Sequence, residues 1–150
     1  MESLKSTLYK YCLDYVLERI TRLKTEIKKT QSSANEETKS SAGDKYETGR
    51  AMAQLEIEKN TKQLSEAERL HAMLQAIHVD LVSEIIIPGS FVTTSKGDFY
   101  ISISIGLITL EQKQYFIIAP DSPIGKLLMG KKAGDEVNWN NNVYKIQSIC

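Results

Sequence analysis

The chain has 150 residues, 41% of them hydrophobic, and its 19 Lys and Arg are balanced by 19 Asp and Glu. That balance excludes a protein held on nucleic acid by bulk positive charge, so any nucleic-acid contact has to be local or made through a partner. No stretch approaches the ~18 consecutive apolar residues of a membrane span, and the two cysteines, Cys12 and Cys150, have no metal-ligand or disulfide-framework spacing. The expectation is a soluble, cytoplasmic protein in a reducing compartment, without a membrane partner.

From Leu4 to about Lys39 the chain is rich in Leu, Lys, Glu and Arg and free of Pro and Gly, which predicts a long helix. Leu13, Val16, Ile20, Leu23 and Ile27 recur at alternating steps of three and four, the seam of a helix that packs on another helix. Ile57, Asn60, Leu64, Ala67, His71 and Leu74 repeat the alternation on a second arm expected from about Thr48 or Arg50 to His78. In an antiparallel pair, facing positions add to a constant. Ile27 with Asn60, Leu23 with Leu64, Ile20 with Ala67, Val16 with His71 and Leu13 with Leu74 do so, and the mirror point falls between Gly43 and Asp44. Further out the register pairs Ala34 with Ala53 and Glu37 with Arg50, so the seam thins and turns polar toward a tip near 42–50. Such an arm reaches roughly 50 Å, and its charges off the seam read first as a solvated surface. His71 and His78 read as polar seam residues, and Tyr9, Tyr11 and Tyr15 as packing at the hairpin base.

The pattern changes at about Val82. Ile85–Ile87, Phe91–Thr94, Tyr100–Ile105 and Tyr115–Ile118 are short β-prone runs separated by Pro88-Gly89, Lys96-Gly97-Asp98 and the polar residues 111–114. Tyr100, Ser102 and Ser104 alternate with Ile101, Ile103 and Ile105, which predicts one buried face. A short helix follows with explicit punctuation: Ser122 as N-cap, Pro123 at its first position and Gly130 just past its end. Strands over Glu136–Trp139 and Val143–Ile146 then flank an asparagine turn. The expected core is Ile101, Ile103, Phe116, Ile118, Ile124, Leu127, Leu128, Val137 and Ile146. The fold class read from these patterns is α+β: an antiparallel coiled-coil hairpin over 1–80, followed over 81–150 by an antiparallel sheet with one short helix.

The segment from Asp121-Ser122-Pro123-Ile124-Gly125-Lys126-Leu127-Leu128 through Gly130-Lys131-Lys132-Ala133-Gly134-Asp135 to Val137 resembles a signature of the Gre (GreA/GreB-like) transcript-cleavage factors of bacterial RNA polymerase. The order of hairpin and sheet domain is similar as well. The resemblance implies an FKBP-like C-terminal domain and a transcription elongation factor that is not itself an enzyme. Such a factor inserts its coiled-coil tip into the polymerase's secondary channel and stimulates the polymerase's own cleavage of backtracked RNA. Its partner is RNA polymerase, and it meets the RNA 3′ end and DNA only through that partner.

The family presents an Asp and a Glu three residues later at the tip, and Asp44 and Glu47 match them in spacing and position. The resemblance thus implies that both carboxylates help hold a Mg²⁺ shared with the polymerase and orient water, while the chain has no cofactor of its own. Hard Mg²⁺ favours oxygen ligands and is often held by one or two carboxylates plus water and phosphate. The tip departs from the family's Asp-Leu-Ser-Glu pattern: it reads Asp44-Lys45-Tyr46-Glu47, and Arg50 brings a positive charge. Lys45, Tyr46, Arg50, Lys28 and Lys29 are the candidate contacts to the partner or RNA. The departures open an alternative, a channel regulator that inhibits without cleavage. A prolyl isomerase is the remaining reading, although Phe91, Tyr100, Tyr115, Phe116 and Trp139 are scattered through strand positions.

Overall fold

A computed structural model of the chain describes residues 3–40 and 44–150, and the side chains of all of these except 36–40 and 44–47. Two long helices, α1 (Leu4–Ser40) and α2 (Asp44–Gln75), precede six strands and a short third helix: β1 (Phe91–Thr94), β2 (Gly97–Ile101), β3 (Gly106–Leu110), β4 (Lys113–Ile118), α3 (Pro123–Leu128), β5 (Glu136–Trp139) and β6 (Asn142–Ile149). The α+β layout is the one expected. The chain forms two compact units, one of Met1–Leu13 with Ala72–Cys150 and one of Asp14–His71.

In the Asp14–His71 unit the seam lies where the periodicity puts it. Val16, Leu23 and Ala67 are buried, and Ile20, Ile27, Leu64 and His71 are half-buried between neighbours that face solvent. Asn60 is buried within this apolar stripe. A polar residue there costs stability but disfavours slipped registers. The second arm starts earlier than expected, at Asp44 instead of Thr48 or Arg50, and takes in Gly49. Glycine in a helix interior costs only about 1 kcal/mol relative to Ala, which the rest of a long helix absorbs. It also ends earlier, at Gln75, where Ile77 N donates to Leu74 O (3.1 Å) in a tightened last turn.

In the other unit the strands form one sheet in the order β3-β4-β2-β1-β6-β5. It is mixed, not wholly antiparallel, because β2 and β4 run parallel while every other pair is antiparallel. The parallel pair arises because β3 intervenes as a return strand. One face carries the cluster Val92, Phe99, Ile101, Ile118, Ile146, Val137 and Tyr144 with Ile124 and Leu128 of α3, and Phe116 packs against its edge. Leu127, expected in that core, is 40% exposed, since the single turn-and-a-half of α3 buries only Ile124, Gly125 and Leu128.

The residues Tyr100–Ile103 are buried without alternation, against the expected single buried face. Tyr100 and Ser102 are covered by helix: Cys12 Sγ and Ser102 Oγ are 3.4 Å apart, ninety positions apart in the chain. The opening residues of α1 therefore belong to the core of the sheet unit.

The punctuation of α3 is as read. Ser122 Oγ accepts from Gly125 N (3.1 Å) and donates to Ala119 O (2.7 Å), while Gly130 takes φ +79° just past the helix. A Cβ on Gly125 would stand 2.1 Å from Ala119 O and 2.7 Å from Ser122 Oγ, so glycine is required there by space. Asn140 and Asn141 both take positive φ between the paired Trp139 and Asn142, a two-residue hairpin turn that asparagine tolerates well.

Candidate functional site

The side chains of Asp44, Lys45, Tyr46 and Glu47, and of Glu37 in the expected pair with Arg50, lie outside the described residues. The backbone places the first four in the opening turn of α2, which begins at Asp44. The unpaired N–H groups and the dipole of a helix N-terminus favour negative charge there, so the sequence puts both acids where a helix tolerates them best.

Next to that turn the seam opens. Gln31, Ala34 and Asn35 of α1 and Arg50, Ala53, Gln54 and Ile57 of α2 line a cavity of about 410 Å³. The physical cause is the register itself: small Ala34 and small Ala53 share the lining, flanked by amides and a guanidinium, with Ile57 as its one large aliphatic side chain. The large apolar residues of this stretch, Met52 and Leu55, face outward. Lys28 and Lys29 are exposed, as are Arg22 and Lys24. Arg69 is engaged with its own helix: its Nε donates to Glu66 (3.0 Å), and that hydrogen bond holds the Glu66 carboxyl below its ordinary range.

A second gathering of polar groups, which sequence reasoning missed, lies within the Met1–Leu13 and Ala72–Cys150 unit. Lys5 Nζ donates to Leu81 O (2.9 Å) from a buried position, and desolvation holds its pKa below the ordinary value, partly offset by Cys150 and Asp80. Tyr9 OH donates to Leu74 O (3.0 Å), so Tyr9 does serve the helix base, whereas Tyr15 is exposed. Burial pushes the Cys12 thiol up to about 11, against the opposing effect of its Ser102 hydrogen bond. Tyr100 is fully buried, and desolvation raises its pKa strongly. The signal for this layer was the stripe Lys5, Leu8, Cys12, which continues the helical period backward from Val16. His71 is half-buried at the seam, while His78 is exposed and its carbonyl accepts from Leu81 N (3.1 Å).

The aromatic residues are used in packing. Phe99 stacks on Phe116 (5.1 Å between centroids), Phe91 meets Tyr115 edge-on (6.0 Å), and Trp139 leans on Tyr144 (6.4 Å). Among the described residues no group of three or more His, Cys, Asp or Glu is placed to hold a metal ion, and no helix is long and apolar enough to cross a membrane.

No family model and no curated protein matches the chain. Among solved structures it is similar to one described as "Structure of the transcription factor Gfh1", with 18% identity over 91% of this chain and 92% of that one, at a TM-score of 0.38.

Proposed function

We propose that this chain is a transcription factor of the Gre type, which binds RNA polymerase, inserts the helical hairpin into the secondary channel and stimulates cleavage of backtracked RNA. The observation that carries the reading is the position of Asp44 and Glu47. Two acids three residues apart open α2, beside the mirror point that the seam register gives independently. The resemblance of the Asp121–Val137 segment and the order of helices and sheet support it.

Two carboxylates are too few to hold Mg²⁺ by themselves, so the remaining ligands come from the polymerase and the RNA phosphate. A Mg²⁺ so held supplies a water of lowered pKa and stabilises charge on the attacked phosphodiester. The chain's own contribution is placement: a long, register-locked pair of helices carries the acids, and helix dipole and exposed Lys28 and Lys29 favour the anionic surroundings of RNA.

Arg50, together with Lys45 and Tyr46, favours a second reading, a factor that occupies the channel and inhibits without cleavage. Arg50 adds positive charge one helical turn beyond Glu47, and the acid–Leu–Ser–acid order of the family is absent. A cleavage assay on backtracked polymerase separates the two. Fragment release stimulated by the wild-type chain and lost in Asp44→Ala/Glu47→Ala supports the first reading. Polymerase binding without fragment release from either protein supports the second.

A further inference from the structure

We propose that the free edge of β3, with the pocket beside it, is a strand-addition site for an extended protein segment bearing an apolar side chain. The proposal rests on the Met1–Leu13 and Ala72–Cys150 unit alone and is independent of the function proposed above.

The sheet ends at β3 on one side and β5 on the other. The two edges differ. The β5 strand is only four residues long and carries Glu136 and Asn138 exposed, which discourages pairing. By contrast, β3 reads Gly106-Leu107-Ile108-Thr109-Leu110, with no charge and no proline, and Leu107 is 51% exposed.

Its ladder with β4 closes through the two residues Glu111 and Gln112, both at positive φ, so Leu110 and Lys113 flank the turn as a bonded pair. Bonding alternates along an antiparallel ladder, and Leu107 and Thr109 therefore turn their N–H and C=O away from β4. Among the described residues no hydrogen bond reaches that outer side. Water serves such a row in the free chain, and an extended backbone can take its place along the whole row, which sets the class of occupant.

Side-chain recognition comes from the adjoining pocket of about 340 Å³, lined by Leu4 and Thr7 of α1, Leu110 and Glu111 at the end of β3, and Tyr115 of β4. Ile108 pairs with Tyr115 and shares its buried face, and Leu110 follows two residues on, so the pocket opens on the face of the sheet that α1 covers. A strand added to β3 directs every second side chain to this face. One of them enters between Leu4 and Leu110. Glu111 is the one charged side chain of the lining, so a basic residue beside the apolar anchor is favoured.

The test is selection of short random peptides displayed on phage against the full chain, with the enriched peptide resynthesised and titrated by ¹⁵N NMR. The expected result is an apolar, β-prone peptide whose shifts centre on Leu4, Thr7 and Leu107–Leu110, with exchange of the Leu107 and Thr109 amides slowed at least about tenfold. N-methylation of alternate peptide amides, and Thr109→Pro in the chain, each weaken binding by about tenfold or more. The N-methylated peptide keeps the test decisive if Thr109→Pro fails to fold. The proposal is overturned if no peptide enriches, if shifts centre elsewhere or if N-methylation has no effect. Concentration-dependent protection of β3 in the protein alone, with a dimer mass, also overturns it, because the occupant is then a second copy.

Discussion

Substituting Gly125 by Ala isolates the segment on which the family resemblance rests. The new Cβ would lie 2.1 Å from Ala119 O, where real Cβ contacts essentially never fall below 3.0 Å, so backbone must move by roughly 0.9 Å. The Cβ also meets Ser122 Oγ at 2.7 Å, and that oxygen is the cap of α3. Overpacking of this kind costs about 1–3 kcal/mol and loss of the cap about 1 kcal/mol, against a helix-propensity gain of at most about 1 kcal/mol. The net expectation is a loss of about 1–3 kcal/mol, a shift of about 1 M in the urea midpoint. Trp139, the one tryptophan, packs on the cluster that Ile124 and Leu128 complete, so its fluorescence reports the transition. Gly130→Ala is the control: at φ +79° with nothing within 4 Å of its Cβ, it pays only the left-handed backbone cost of about 1–2 kcal/mol. A Gly125→Ala midpoint equal to wild type refutes the steric argument.

The Cys12 thiol is held up at about 11 from an ordinary 9.0, so the folded state keeps a proton that the unfolded chain loses above pH 9. Its contribution is complete below pH 9 and is lost as pH rises to 11, by up to about 2–3 kcal/mol. The raised Tyr100 acts in the same sense and the depressed Lys5 in the opposite one, so the check is a Cys12→Ala variant, which flattens the decline in urea midpoints between pH 9 and 11; an unchanged slope contradicts the assignment. Iodoacetamide at pH 8 modifies exposed Cys150 and leaves Cys12 unmodified until the chain unfolds, as mass spectrometry of the peptides shows. Lys5→Met removes the donor to Leu81 O and costs about 1–2 kcal/mol, with faster hydrogen exchange around Leu81; unchanged exchange there speaks against an anchoring role. Asn60→Leu raises the thermal midpoint of the helical pair while admitting slipped or oligomeric forms in sedimentation, and a purely monomeric, more stable variant shows that Asn60 does not select the register.

The hairpin was legible because its constraint is arithmetic. A buried stripe with exposed neighbours leaves a three-and-four period along each helix, and Leu23 and Ala67 are buried where that period puts them. The cap of α3 was legible because Ser122, Pro123 and Gly130 each answer a local backbone need, whereas the space that requires glycine at 125 is visible only in the structure. What was hidden is non-local. The strand β3 follows Ile105 without a break in apolar character, and its partner choice, like the parallel pairing of β2 with β4, depends on the whole sheet. Continuous burial of Tyr100–Ile103 follows from the opening residues of α1 covering the second face, a contact across ninety positions that no window along the chain reveals. Periodicity likewise puts its mirror point beside Asp44, where α2 begins, but says nothing of chemistry there. The roles proposed for Asp44 and Glu47 rest on the resemblance, and spacing does not rank the basic and aromatic departures around them.

The measurement that bears most directly on the central claim is RNA release from backtracked polymerase of the same organism in Mg²⁺, with the wild-type chain and with Asp44→Ala/Glu47→Ala, alongside a direct measurement of polymerase binding by each. The account predicts stimulated release of a short 3′ fragment by wild type, its loss in the double variant, and equal binding by both. Binding without stimulated release from wild type contradicts it and makes the tip an occluding element instead of a catalytic aid.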